Sequence, residues 1–122
     1  MRDKRYLPTK NYTPDELIDI LQDERLGYIT IVVLFGSRAR GDISARSDYD
    51  FGVVYRDIES SWGVMAEIYN DFLDILDLQE YQLDIVDIVN ANREIKESIR
   101  EDFIVLKGKR DELLNYLNIN KT

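Results

Sequence analysis

Two short groupings of residues in this chain have the types and spacing to do chemistry. Gly36-Ser37 closes an apolar run, ten residues follow, and Asp48-Tyr49-Asp50 opens a second apolar run. A Gly-Ser pair directly after a strand permits a tight turn and close backbone approach. The Ser37 hydroxyl, with the N–H groups of the next turn, then suits phosphate oxygens. Asp48 and Asp50, two apart in an extended segment, project to one face, with Gly52 leaving space beside them. Two ionised carboxylates so placed repel, and each raises the other's pKa unless a cation sits between them. Mg2+ suits them: it is hard, takes oxygen ligands, and is commonly bound through one or two carboxylates plus substrate phosphates. Arg38, Arg40 and Arg46 lie in the same stretch and could reach polyphosphate charge. Each grouping alone has an ordinary explanation, as a strand–turn–helix joint or as a turn residue beside a solvated strand end. Joined at one spacing, they would arise by chance in roughly one chain in a thousand of this size. Phosphate and metal together point to nucleotide chemistry.

Composition narrows how such chemistry could run. The 122 residues include no His and no Cys, so catalysis must use carboxylates, hydroxyls, Lys and Arg, and there is no disulfide frame or thiolate zinc site. A net charge of −8 argues against broad nucleic-acid binding, which usually needs a basic face. Metal ions, nucleotide–metal complexes and basic protein partners are more natural. The longest apolar runs, such as residues 29–35, are too short to cross a bilayer. The charged start Met1-Arg2-Asp3-Lys4-Arg5 leads into no apolar signal region, so a cytoplasmic setting is expected.

The elements that must position these groups follow from local patterns. The chain reads as a single domain over residues 1–122. Thr13-Pro14-Asp15-Glu16 forms a helix start with a capping box, Leu17, Ile18, Ile20 and Leu21 give an apolar face, and Gly27 is a plausible stop. Residues 28–35 read as a buried central strand, 38–43 as a short helix or loop, and 49–55 as a strand with Tyr49, Phe51, Val53 and Tyr55 on one face. Ser60 or Ser61 can cap a long helix carrying Met65, Ile68, Phe72, Ile75 and Leu76 at helical spacing. Residues 81–89 read as a third strand, Asn90 or Asn92 as the cap of a helix with Ile95 and Ile99 inward, 103–106 as a possible fourth strand, and 111–117 as a last helix. This alternation predicts an α/β domain with a parallel or mixed sheet of three or four strands.

The stretch from Gly36 to Asp50 resembles the signature of the DNA-polymerase-beta-like nucleotidyltransferase superfamily: Gly-Ser, about ten residues, then Asp-x-Asp. It is most similar to the minimal nucleotidyltransferases, in which Gly-Ser-Arg-Ala-Arg-Gly-Asp followed by Ser-Asp-x-Asp is typical. The resemblance implies the polymerase-beta-like α/β (α+β) fold, a central mixed sheet flanked by helices. It also implies a third carboxylate on a later strand, for which Asp84 fits the family's strand better than Asp87. Asp48, Asp50 and Asp84 would then be the catalytic and metal-binding residues, with two Mg2+ ions and ATP as substrate. Gly36, Ser37, Arg38, Arg40, Arg46 and Ser47 would bind the nucleotide. Tyr49 stands where the family more often has Leu or Ile, and its alternation places it in the core.

Larger members of the superfamily add a domain that recognises the acceptor, for which this length leaves little room. Minimal nucleotidyltransferases are often paired with a helical HEPN protein, commonly an RNase toxin. The resemblance therefore implies an antitoxin that transfers AMP from ATP to a tyrosine of a HEPN partner. A non-catalytic neutralising subunit is the alternative, and transfer to a small-molecule hydroxyl ranks third. Glu67, Asp71, Asp74 and Asp77 fall on one helical face; this is either a solvated acidic surface or a dock for a basic partner.

Overall fold

A computed structural model describes residues 9–42, 48–56 and 63–118. The elements are α1 (Pro14–Ile20), β1 (Ile29–Phe35), α2 (Ser37–Arg40), β2 (Tyr49–Tyr55), α3 (Val64–Leu76), β3 (Leu83–Asp87), α4 (Arg93–Glu101), β4 (Phe103–Lys107) and α5 (Arg110–Tyr116). Short 3-10 turns at Glu24–Leu26 and Glu80–Gln82 lead into β1 and β3.

The four strands form one sheet in the order β3-β2-β1-β4. β1 is antiparallel to both β2 and β4, whereas β2 and β3 run parallel, so the sheet is mixed. The parallel pair needs a crossover, and α3 supplies it. β1 is central and almost wholly buried, as its continuous apolar run requires.

Alternation on β1 and β2 feeds two cores. Val32, Leu34, Tyr49, Phe51 and Val53 pack with Leu17 from α1, with Leu21 just past its end, and with Val64, Ile68, Phe72 and Leu76 from α3. Ile31, Val33, Phe35 and Val54 pack on the other side with Ile88, Ile99 from α4, and Leu113 and Leu117. A bulge between Ile29 and Ile31 breaks the period, so Ile29 joins the same core as Val32, three residues on. The side chain of Thr30 at that bulge donates to the Val54 carbonyl at 3.1 Å.

Several ends differ from the sequence expectation. α1 keeps its capping box, with Thr13 accepting from the Glu16 N–H and Glu16 from the Thr13 N–H, but it stops at Ile20. Gly27 closes the following 3-10 turn instead, because the Asp23 side chain caps a new turn at Arg25. α3 starts after Gly63 in a left-handed conformation; Ser60 and Ser61 lie outside the described residues. β3 begins at Leu83, since residues 80–82 coil into the 3-10 turn. Asn92, not Asn90, caps α4 by accepting from the Ile95 N–H at 2.9 Å.

Candidate active site

Antiparallel pairing of β1 and β2 brings the end of one strand against the start of the other, with Phe35 opposite Asp50. Gly36, the next residue, therefore stands beside the Asp50 carboxylate. Its φ of 77° lies in the region that favours glycine, and a Cβ placed there would come within 2.5 Å of Asp50 Oδ2. Gly36 is the condition for that close approach. From it the chain turns at once into α2, where the Ser37 N–H, at the first helical position, has no acceptor inside the helix. Four residues generate little macrodipole, so any anion affinity here must come from these local N–H groups, the Ser37 hydroxyl and nearby cations.

Parallel pairing of β2 and β3 places Asp84 directly beside Asp50 in register. In-register neighbours on adjacent strands project to the same face, so the two carboxylates share a side of the sheet. Asp48 is exposed just before β2, while Asp50 is half-buried. Burial first, then the charges of Asp84 and Asp48, push the Asp50 carboxyl up to about 6. Asp50 thus feels both other aspartates, which is what a site short of positive charge looks like.

Asp87 is placed elsewhere. It pairs in register with Val53, and its carboxylate accepts from the Val89 N–H at 3.1 Å and the Asn90 side-chain amide at 2.8 Å. The Tyr55 hydroxyl lies 3.5 Å away. Asp87 therefore closes the turn after β3 while Asp84 stands by Asp50.

The arginines divide. Arg40 is exposed and lies 3.2 Å from Asp42 and 3.9 Å from Asp102. Arg38, read from sequence as reaching for polyphosphate, is only 4% exposed and lies with its guanidinium carbon 3.9 Å above the Tyr49 ring. The aromatic face draws it inward, because a cation over a ring gains electrostatically when desolvated. Arg46 and Ser47 lie outside the described residues. Gly52 also differs from expectation: the space beside it is filled by Ile88 and Val33, whose carbons would meet an added Cβ at 2.9–3.0 Å. It serves strand packing and leaves no room for a ligand.

Sequence reasoning missed the segment before α1. The Tyr49 hydroxyl accepts from the Tyr12 N–H at 2.9 Å and donates to the Lys10 carbonyl at 2.8 Å. A buried tyrosine needs such partners, but nothing in the spacing says where they come from.

All the donors near Asp50 are hard oxygens, a set that fits Mg2+. Among the described residues, no group of three or more such side chains is drawn tightly enough to hold an ion unaided.

Residues 15–112 match the protein family described as Polymerase beta, Nucleotidyltransferase, a span that contains Gly36, Ser37, Asp48, Asp50 and Asp84. The chain belongs to that family. This nucleotidyltransferase domain is 30% identical over 88 residues to the protein adenylyltransferase MntA of Aphanizomenon flos-aquae, covering 67% of this chain and 59% of that relative. It thus spans about three fifths of the relative's length. Among solved structures, a toxin–antitoxin crystal structure with AMP-PNP superposes with a TM-score of 0.65 at 21% identity, over 87% of this chain and 82% of that one. The complex of a tri-AMPylated Shewanella oneidensis HEPN toxin with its MNT antitoxin gives a TM-score of 0.58 at 18% identity, over 85% and 76%. At these identities the likeness is one of nucleotidyltransferase fold. Among the described residues, no helix is long and apolar enough to cross a membrane.

Proposed function

We propose that this chain transfers AMP from ATP to a hydroxyl of a HEPN-type partner, a tyrosine by preference, and so acts as the antitoxin of a two-protein system. The observation that carries the reading is the meeting of Gly36, Asp50 and Asp84, with Asp50 raised by burial and by its two neighbouring carboxylates. The adenylyltransferase relative and the toxin–antitoxin folds support the choice of nucleotide and acceptor.

In this reading Ser37 and the adjacent N–H groups bind the terminal phosphates, and Arg40 and Arg46 meet their charge. Asp48, Asp50 and Asp84 would hold Mg2+, which when bound neutralises charge on the triphosphate oxygens. The acceptor oxygen forms a bond to the α-phosphorus, the bond to the bridging oxygen breaks, and pyrophosphate leaves. Asp84, the exposed carboxylate of the pair, takes the hydroxyl proton. Most of the rate gain is positioning and electrostatics, so the absence of His is no obstacle.

The test is to incubate the protein with Mg-ATP and the HEPN-type product of the neighbouring gene, then weigh that partner by mass spectrometry. The expected result is added AMP that disappears with Asp48→Asn/Asp50→Asn. Binding without added AMP, with neutralisation intact in the double variant, would instead make the chain a non-catalytic subunit.

A further inference from the structure

We propose that Arg38 and Tyr49 are positioning residues: together with Gly36 they clamp α2 onto the strand that carries Asp50, through a brace anchored at the end of α3. The inference rests on the nucleotide-transfer reading of the site and adds to it a pair of residues with no contact to the nucleotide.

Two consecutive residues of β2 are gripped from opposite faces by two residues of the same turn. On one face Gly36 lies against the Asp50 carboxylate, and on the other Arg38 covers the Tyr49 ring. The opposite sides follow from the strand period, which sends Tyr49 and Asp50 to different faces. Tyr49 is itself held hard. Its exposure is 0%, its ring stacks on Phe51 at 5.7 Å and 2°, and Phe51 meets Phe72 of α3 edge-on at 5.2 Å.

Its hydroxyl uses both its donor and its acceptor capacity on the backbone of residues 10–12. That segment is tied in turn to the C-terminus of α3. The Tyr12 hydroxyl donates to the Leu76 carbonyl at 2.7 Å, and Lys10 pairs with Asp77. A continuous chain of contacts therefore runs from the end of α3, through residues 10–12 and Tyr49, to Arg38 in α2.

This geometry has a cost and a purpose. Arg38 spends the face of its guanidinium on the Tyr49 ring and is turned away from solvent, the placement of a residue that fixes the turn. With α2 so fixed, the Ser37 hydroxyl and N–H keep a set distance from the Asp50 carboxylate. Transfer between phosphate and carboxylate sites depends steeply on such alignment.

The test compares wild type with Tyr49→Phe, Arg38→Lys, Arg38→Met and Asp50→Asn in three readouts. These are amide hydrogen exchange over residues 36–42, affinity for Mg-α,β-methylene ATP, and turnover of AMP transfer to the partner. Tyr49→Phe keeps the ring and removes only the hydroxyl, and Arg38→Lys keeps charge without the planar stack. For all three brace variants, exchange is expected to quicken by about tenfold and turnover to fall by about tenfold, while nucleotide affinity changes by less than about threefold.

Affinity loss above about tenfold in Arg38→Met, restored by Lys, would make Arg38 a phosphate ligand and overturn the proposal. Unchanged exchange and turnover in folded variants would overturn it equally, leaving the stack as packing alone. A wild type that binds the analogue yet transfers nothing would defeat the functional reading, while exchange and affinity still decide the brace. Asp50→Asn, which keeps the side-chain shape, should abolish transfer without quickening exchange at residues 36–42.

Discussion

At Asp50, burial and the charges of Asp84 and Asp48 act in the same direction and hold the folded carboxyl near 6, against 3.8 in the unfolded chain. The folded state therefore binds this proton more tightly. The stability that the protonated group contributes is complete below about pH 4 and is lost as pH rises through about 6. Asp50→Asn should make the metal-free protein more stable at pH 7 by on the order of 1 kcal/mol, allowing for screening of a half-buried group. The difference should vanish at pH 4; urea midpoints at the two pH values check it. Mg-ATP should raise the melting temperature of wild type more than that of the variant. Gly36→Ala faces both an unfavourable φ and a contact at 2.5 Å with Asp50 Oδ2. It should cost roughly 2–4 kcal/mol in denaturant unfolding and abolish transfer.

Among the elements, β2 decides most, because one strand meets the phosphate turn on one side and Asp84 on the other. Gly52 is what lets β2 pack closely beneath Ile88, just past the end of β3. Gly52→Ala should destabilise the fold by about 1–3 kcal/mol, and adding Ile88→Val should recover part of that loss. A double-mutant cycle on unfolding free energies measures the coupling; strict additivity would mean that Ile88 is not what Gly52 makes room for. α3 contributes through its buried stripe of Val64, Ile68, Phe72 and Leu76. Truncating Phe72 to Ala at the end of the aromatic column should cost about 3–5 kcal/mol, read from the same unfolding curves.

For the whole molecule, the net charge of −8 sets the long-range field. The acidic face of α3 is partly answered from within: Asp74 pairs with Arg25 at 2.8 Å and Asp77 with Lys10, all at exposed sites. Such pairs contribute little to stability. Glu67 and Asp71, with the overall charge of −8, set the field that a basic partner would meet. The association rate with the proposed HEPN-type partner should therefore fall severalfold between about 10 and 150 mM salt, as the screening length shrinks from about 30 to 8 Å. Glu67→Gln/Asp71→Asn should flatten that slope in stopped-flow measurements, while leaving the transfer chemistry of the bound complex unchanged.

Much of this was legible in the residues themselves. The Gly36-Ser37 and Asp48-x-Asp50 spacing named the chemistry, the period of two placed Tyr49 in the core, and the capping box at Thr13 fixed where α1 starts. These are local properties, determined by steric and hydrogen-bonding rules within a few residues of chain. Strand order was not local. That β3 lies parallel beside β2, and so brings Asp84 rather than Asp87 to Asp50, depends on where the α3 crossover lands. The fate of Arg38 was also hidden. Its sequence neighbours pointed to phosphate, and that its guanidinium would lie over the Tyr49 ring emerged only when β2 folded against α2. The sequence by itself determined the nucleotidyltransferase family to which the chain belongs. The tertiary structure alone decided which carboxylate stands beside Asp50 and which arginine lies over the Tyr49 ring, because both depend on contacts between separate segments of the chain.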